Sequence, residues 1–155
     1  METTLHLKNR HNVSLIMYHF VCPTKYRRIV LDDKVDNYFK VICLDIELRY
    51  DIKFLEIWLD WDHVHFLIQW VPVLSPTKII TIVKSILARK IFLTFPDVKK
   101  KLWWWNFFSS WFYVNTVGQY WNEEFIRKYV QNQWKEKEYK QIYKWYTDKN
   151  QLTLL

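Results

Sequence analysis

His63 and His65 stand one residue apart, directly after Asp62. On an extended strand alternate side chains share a face, which sets the two imidazoles about 6.5–7 Å apart along the chain on one side. At that spacing they can converge on a single metal ion. They can equally be two partly buried histidines satisfied by hydrogen bonds. The same alternation puts Leu67 and Gln69 on the histidine side and sends Val64 and Phe66 into a core. A second pair, Tyr129 and Gln133, has the i,i+4 spacing that stacks side chains on one helix face. A tyrosine hydroxyl can attack phosphorus, and an amide oxygen can complete a metal's shell. The alternative is packing or surface, since the chain holds ten tyrosines.

Cations accompany both pairs. Lys25, Arg27 and Arg28 follow the first apolar run, and Arg127 and Lys128 adjoin Tyr129; all five could contact phosphates. Lys99, Lys100 and Lys101 precede Trp103, Trp104 and Trp105, joining charge to stacking surface as single-strand binders do. Those tryptophans could instead serve a core or a dimer interface, with the lysines on a solvated loop.

The formal net charge of +7 is unevenly placed. Residues 1–75 carry 9 Lys/Arg against 10 Asp/Glu, whereas 76–155 carry 14 against 6. A basic half rich in Trp and Tyr suits a polyanion with stackable bases. With 50% hydrophobic and 19% aromatic residues, the chain lies far from the disordered class. Its 155 residues suit one domain with a real core. Cys22 and Cys43 form neither a disulfide framework nor a zinc-ligand spacing, and read as reduced core residues. The first residues lack a signal-peptide pattern, and no stretch approaches the roughly 20 apolar residues of a membrane span, so a cytoplasmic location is expected.

The elements that must position these groups can be read from periodicity. A buried strand is expected over 13–22, closed by Pro23. Asp32 or Asp33 can cap a helix over 33–49 with Val35, Tyr38, Phe39, Ile42 and Ile46 on one face. Strands over 52–59 and 63–70, joined by Asp60-Trp61-Asp62, read as an antiparallel hairpin. Ser75-Pro76 opens a helix to about 94, with Ile79, Ile82, Val83, Ile86 and Lys90 on one face. Residues 96–110 read as irregular and 111–117 as a fourth strand. Asn122, Glu123 and Glu124 begin a last helix. This β-α-β-β-α-β order predicts a ferredoxin-like (RRM-like) α+β sandwich with an antiparallel sheet, one face bearing helices and the other free for a ligand or partner.

Taken in order, four stretches resemble the small insertion-sequence transposases of the HUH single-tyrosine family. They are HNVSLIMYHFVCPTKYRRIVL, DHVHFLIQ, FYVNTVG and EEFIRKYVQNQ, and the resemblance spans about residues 11–134 of a single domain over 1–155, with a C-terminal helix and tail over 122–155. The sequence departs from the family at Trp61, where proline is frequent, and at Phe108-Ser109-Ser110, where tryptophan-serine-proline is usual.

The resemblance implies that His63, His65 and Gln133 are metal ligands and that Tyr129 is the nucleophile. It implies Mg²⁺ or Mn²⁺, single-stranded DNA with hairpins near element ends as substrate, and a homodimer whose tyrosine helix can serve the partner's histidines. The reaction implied is cleavage and rejoining of DNA through a 5′-phosphotyrosine link, which stores bond energy without ATP or any nucleotide cofactor. Free tyrosine, with a pKa near 10, is only about 0.1% ionised at pH 7, so a metal has to activate phosphate, nucleophile or both. Other readings are an inactive or recruited hairpin-binding relative, an RNA-binding domain of the same fold, and a metal hydrolase using water. With one glycine in the chain, the RNA-binding class lacks its Gly-aromatic signature.

Overall fold

The computed structural model describes residues 7–103, 106–117 and 140–144. A short hairpin of β1 (Leu7–Asn9) and β2 (Asn12–Ser14) precedes β3 (Ile16–Pro23), α1 (Asp33–Arg49), β4 (Ile52–Asp60) and β5 (His63–Trp70). Then come α2 (Pro76–Thr94), α3 (Pro96–Lys101), β6 (Tyr113–Val117) and β7 (Lys140–Lys144). The larger sheet has the order β6-β3-β5-β4-β7, with every neighbouring pair antiparallel. This is the expected ferredoxin-like α+β sandwich, and it sets the histidine strand β5 in the middle of the sheet.

Local chemistry explains the helices. The Asp32 carboxylate accepts from the backbone N–H groups of Lys34 and Val35 and so caps α1. The Ser75 hydroxyl accepts from the Lys78 N–H, and Pro76 starts α2 without needing a partner for its nitrogen. Val35, Phe39, Ile42, Cys43 and Ile46 of α1 are buried, as are Ile79, Ile80, Val83, Ile86, Leu87 and Ile91 of α2. Both stripes pack on Phe20, Phe54, Ile57, Val64, Phe66 and Ile68 of the sheet. Phe66 and Phe39 stack at 5.9 Å, tying β5 to α1. Each such side chain contributes about 1.5–3 kcal/mol through burial. Lys90, expected on the apolar face of α2, instead reaches Asp45 and pins the two helices together at their rim.

The structure departs from the sequence reading in four places. The first strand is divided: β2 ends at Ser14, β3 begins at Ile16, and Pro23 is its last residue. Residues 96–101, expected to be irregular, form α3, whose Pro96 start, acidic first turn (Asp97) and basic last turn all suit the helix dipole. In the segment expected to hold only a helix and tail, β7 pairs with β4 and adds a strand to that side of the sheet. The sheet face opposite the helices, expected to be free, is buried at His19, Glu56, Trp58, Asp60, His63, His65, Leu67 and Gln69.

Candidate functional site

The strand register assembles the site on that second face. Cross-strand partners point to the same side of a sheet, so His63 and His65 share their face with Asp60 and Trp58 of β4 and with Val21 of β3. His19 lies opposite Leu67, one diagonal step from His65, and Asn115 of β6 lies opposite His19. A register shift after Phe54 inserts Leu55 as an extra residue in β4 and brings Glu56 opposite Leu67. Met17, Leu55, Trp58, Leu67 and Val117 form a small apolar cluster beside the polar groups. The predicted alternation along β5 holds: Val64, Phe66 and Ile68 face the helices, while His63, His65, Leu67 and Gln69 face away.

The rings of His63 and His65 have centroids 4.9 Å apart. His63 Nδ1 lies 2.6 Å from Asp62 Oδ1 and 3.7 Å from Asp60 Oδ2. His65 Nδ1 lies 2.9 Å from His19 Nε2, and those two rings stack at 5.1 Å with 11° between their planes. Burial pushes His65 well below the ordinary histidine range, and the neighbouring His19 and His63 push the same way. Burial lowers His19 to about 4, against a smaller opposing influence of the neighbouring Asn115. Both imidazoles are therefore neutral at pH 7, the form in which a ring nitrogen can donate its lone pair to a metal.

The basic turn is fastened to this centre. Thr24 N–H donates to the Asp62 carbonyl at 2.8 Å, and the Thr24 hydroxyl sits 2.9 Å from the carbonyl oxygens of both Asp62 and Arg28. Lys25 N–H donates to the Phe107 carbonyl, and Ser109 N–H to that of Pro23. Tyr26 (φ 57°, ψ 22°) and Arg27 (φ 50°) are both left-handed, a conformation that costs a non-glycine residue about 1–2 kcal/mol. Arg27 is exposed and lies 3.7 Å from the Asp62 carboxylate. Arg28 stacks its guanidinium 4.1 Å above Trp103, which is itself exposed. Lys25 is half-buried beside the Tyr26 ring.

Thus His63, His65, Lys25, Arg27 and Arg28 gather around the turn between β4 and β5. Arg127, Lys128, Tyr129 and Gln133 lie outside the described residues, as do Trp104 and Trp105. Two residues escaped the sequence reading. Asp60 was read only as part of a connection, yet it is a buried strand residue beside His63. His19 looks like any isolated histidine in an apolar run, and only the register between β3 and β5 sets it one diagonal step from His65.

Among the described residues, Asp60, Asp62 and His63 each offer a donor atom, and these atoms lie within 4.8 Å of one another. With His65 beside them, two imidazoles and two carboxylates make a mixed nitrogen and oxygen donor set. That chemistry fits a borderline-to-hard divalent cation.

Fold and site together define an α+β domain built around a buried pair of histidines, with a basic turn secured beside them. The family described as "Transposase IS200 like" matches residues 12–133, and the chain belongs to that family: it is a transposase, an enzyme that cuts and transfers DNA. It is 29% identical over 126 residues to the ISDra2 transposase TnpA of Deinococcus radiodurans, covering 81% of this chain and 89% of that protein. It also resembles a crystal structure of a candidate transposase from Deinococcus radiodurans R1, with 30% identity and a TM-score of 0.66. That match covers 82% of this chain and 97% of the other. No helix among the described residues is long and apolar enough to cross a membrane.

Proposed function

We propose that this transposase cleaves and rejoins single-stranded DNA at insertion-sequence ends, with His63 and His65 as metal ligands and Tyr129 as the nucleophile. The carrying observation is that two buried imidazoles lie side by side on one sheet face, each with its Nδ1 at a polar partner. Gln133, one helical turn beyond Tyr129 by its spacing, is the proposed third ligand. A Mg²⁺ or Mn²⁺ ion held there would polarise the scissile phosphate and offset charge that builds in the transition state.

The tyrosine chemistry is balanced without an external energy source. Tyr129 Oη forms a bond to phosphorus as the bond to the 3′ oxygen breaks, leaving a 5′-phosphotyrosine and a 3′-hydroxyl. A 3′-hydroxyl from the same or another strand then attacks the phosphotyrosine, restores a phosphodiester and returns the tyrosine. Lys25, Arg27 and Arg28, secured beside Asp62, would hold backbone phosphates near the histidines, and Arg127 and Lys128 would do so beside the tyrosine. The substrate we assign is a hairpin-bearing single strand bound by a homodimer in the cytoplasm.

A covalent-adduct assay tests this reading. Labelled single strands from the element ends are incubated with the protein and Mg²⁺ or Mn²⁺, then run on a denaturing gel. The expected result is an SDS-resistant labelled adduct that needs the metal and disappears in Tyr129→Phe, while hairpin binding is retained. Cleavage that survives in Tyr129→Phe would instead indicate water as nucleophile and refute the tyrosine assignment. Hairpin binding with no adduct under either metal would make the chain a DNA-binding relative without cleavage activity.

A further inference from the structure

We propose that Trp61 is a base-stacking residue: its indole takes up an unpaired base of the DNA strand that the basic turn holds beside the histidines. The inference rests on the single-stranded substrate proposed above, and adds to it a contact made with a base and not with a phosphate.

Trp61 occupies the short turn between β4 and β5, a kind of position where small or polar residues are usual. The turn needs nothing from its side chain. The Trp61 N–H donates to Asp60 Oδ1 at 2.7 Å, and the Asp62 carbonyl accepts from the Thr24 N–H. The backbone is held on both sides of Trp61 while its indole is 62% exposed. Its two chain neighbours, Asp60 and Asp62, are also the carboxylates grouped with His63. The ring therefore projects from the rim of the candidate metal site, one peptide from each of them.

A lone exposed tryptophan is ordinary on a protein surface. Trp61 is one of three exposed rings, with Tyr26 at 59% and Trp103 at 63%. Contacts join the three. Asp62, next to Trp61, pairs with Arg27, next to Tyr26, and Arg28 lies over the Trp103 ring. The Lys25 ammonium lies 5.0 Å from the centre of the Tyr26 ring. Rings interleaved with cations suit a single strand, which alternates flat bases with phosphates. Tyr26 and Trp103 each carry a cation on a face, whereas among the described residues Trp61 carries none.

The charges at the turn select the part of the strand that meets Trp61. The carboxylates of Asp60 and Asp62 flank it, which disfavours a phosphate at this point. Lys25, Arg27 and Arg28 offer phosphate sites on the adjoining turn. A strand whose phosphates follow those cations presents an uncharged base to the indole. Stacking needs only a π-face, so the contact tolerates any base.

The test uses the full chain with two labelled probes, an oligothymidylate and an abasic strand of the same length. Trp61→Ala should weaken oligothymidylate binding by about 5- to 150-fold, the usual range for loss of one stacked base. Binding of the abasic strand, and the slope of log K against log salt, should stay unchanged, because no phosphate contact is lost. Trp61→Phe, which keeps a ring, should recover most of the loss. In the wild-type protein, oligothymidylate carrying 5-iodouracil should photo-crosslink to the peptide that holds Trp61.

Unchanged oligothymidylate binding in a folded Trp61→Ala overturns the proposal and leaves the single-strand reading standing. If that variant also loses self-association, the indole belongs to an interface between copies of the chain. Equal loss on both probes overturns it too, since the effect then comes from a disturbed turn. If Trp61→Ala does not fold, the crosslink decides, and its absence from the Trp61 peptide refutes the contact. Should wild type bind neither probe, the single-strand reading fails and this inference fails with it.

Discussion

The carboxylate of Asp62 reaches back onto the ring of its own neighbour, with Oδ1 2.6 Å from Nδ1 of His63. The same residue accepts the Thr24 N–H at its carbonyl, and its other carboxylate oxygen forms an ion pair with the Arg27 guanidinium at 3.7 Å. One side chain in a two-residue turn therefore links a proposed metal ligand to the proposed phosphate-binding turn. That arrangement requires β3 and β5 to be neighbours, because Thr24 follows the end of β3 and Asp62 precedes the start of β5.

Asp62→Ala should weaken Mn²⁺ binding by about 10-fold, the lower end of the usual effect of losing a ligand's outer partner. The lower end is expected because Asp60 Oδ2, 3.7 Å from the same nitrogen, can partly take over. Asp62→Asn keeps an oxygen acceptor and should lose less. Calorimetric titration of both variants checks the order. An Asp62→Ala protein that binds Mn²⁺ as well as wild type would show that this carboxylate does not orient His63.

Arg28 is the proposed phosphate contact that stacks on an exposed tryptophan. Arg28→Ala should weaken single-strand binding and reduce the slope of log K against log salt by about 0.7, the release expected for one neutralised phosphate on a single strand. The variant also uncovers Trp103, which now lies beneath the guanidinium. Binding isotherms across a salt series decide the point. An unchanged slope would place Arg28 off the DNA path, with its stacking on Trp103 as its whole role.

Legibility in the sequence followed the range of the interactions. The helices over 33–49 and 76–94 were readable because cap, apolar stripe and terminus lie within one segment. The histidine pair was readable for the same reason: the strand's two-residue period alone decides that His63 and His65 share a face. The closeness of His19 to His65 was not, since it depends on a diagonal step in the register between two strands. The strand β7 was illegible because Lys-Gln-Ile-Tyr-Lys has little pattern of its own and is strand only by pairing with β4. For α3 the signals were present in Pro96, Asp97 and the lysines, but the aromatic run beyond them drew the whole stretch toward an irregular reading.

Cys22 reports on the integrity of the site strand. Its side chain is fully buried on the helix-facing side of β3, opposite Val64, and burial pushes its thiol up to about 12. The thiolate is the reactive form, so native protein at pH 8 should resist a disulfide-exchange reagent such as DTNB. Labelling should proceed only as the protein unfolds, and should accelerate with denaturant. Rapid labelling of native Cys22, located by peptide mapping, would mean that β3 opens locally near the basic turn.

Glu47 gives a pH-dependent stability effect away from the histidines. It is half-buried on α1, where its Oε1 accepts the Phe54 N–H, and burial raises it from 4.5 to about 6 against the opposing effects of that bond and of Lys53. The folded state thus holds the proton more tightly than the unfolded chain between about pH 4.5 and 6. Above pH 6 the folded protein carries a partly desolvated carboxylate, a cost of about 1 kcal/mol once solvent screening of a partly exposed group is allowed for. Below pH 4.5 both states are protonated and the cost vanishes. Glu47→Gln keeps an oxygen for the Phe54 N–H without the charge. It should therefore melt about 2–4 °C higher than wild type at pH 7.5, with the gap closing toward pH 4.5. Thermal melts of both proteins at the two pH values test this. A gap that stays constant with pH, or a variant less stable at pH 7.5, would show that the carboxylate is not a net cost to the fold.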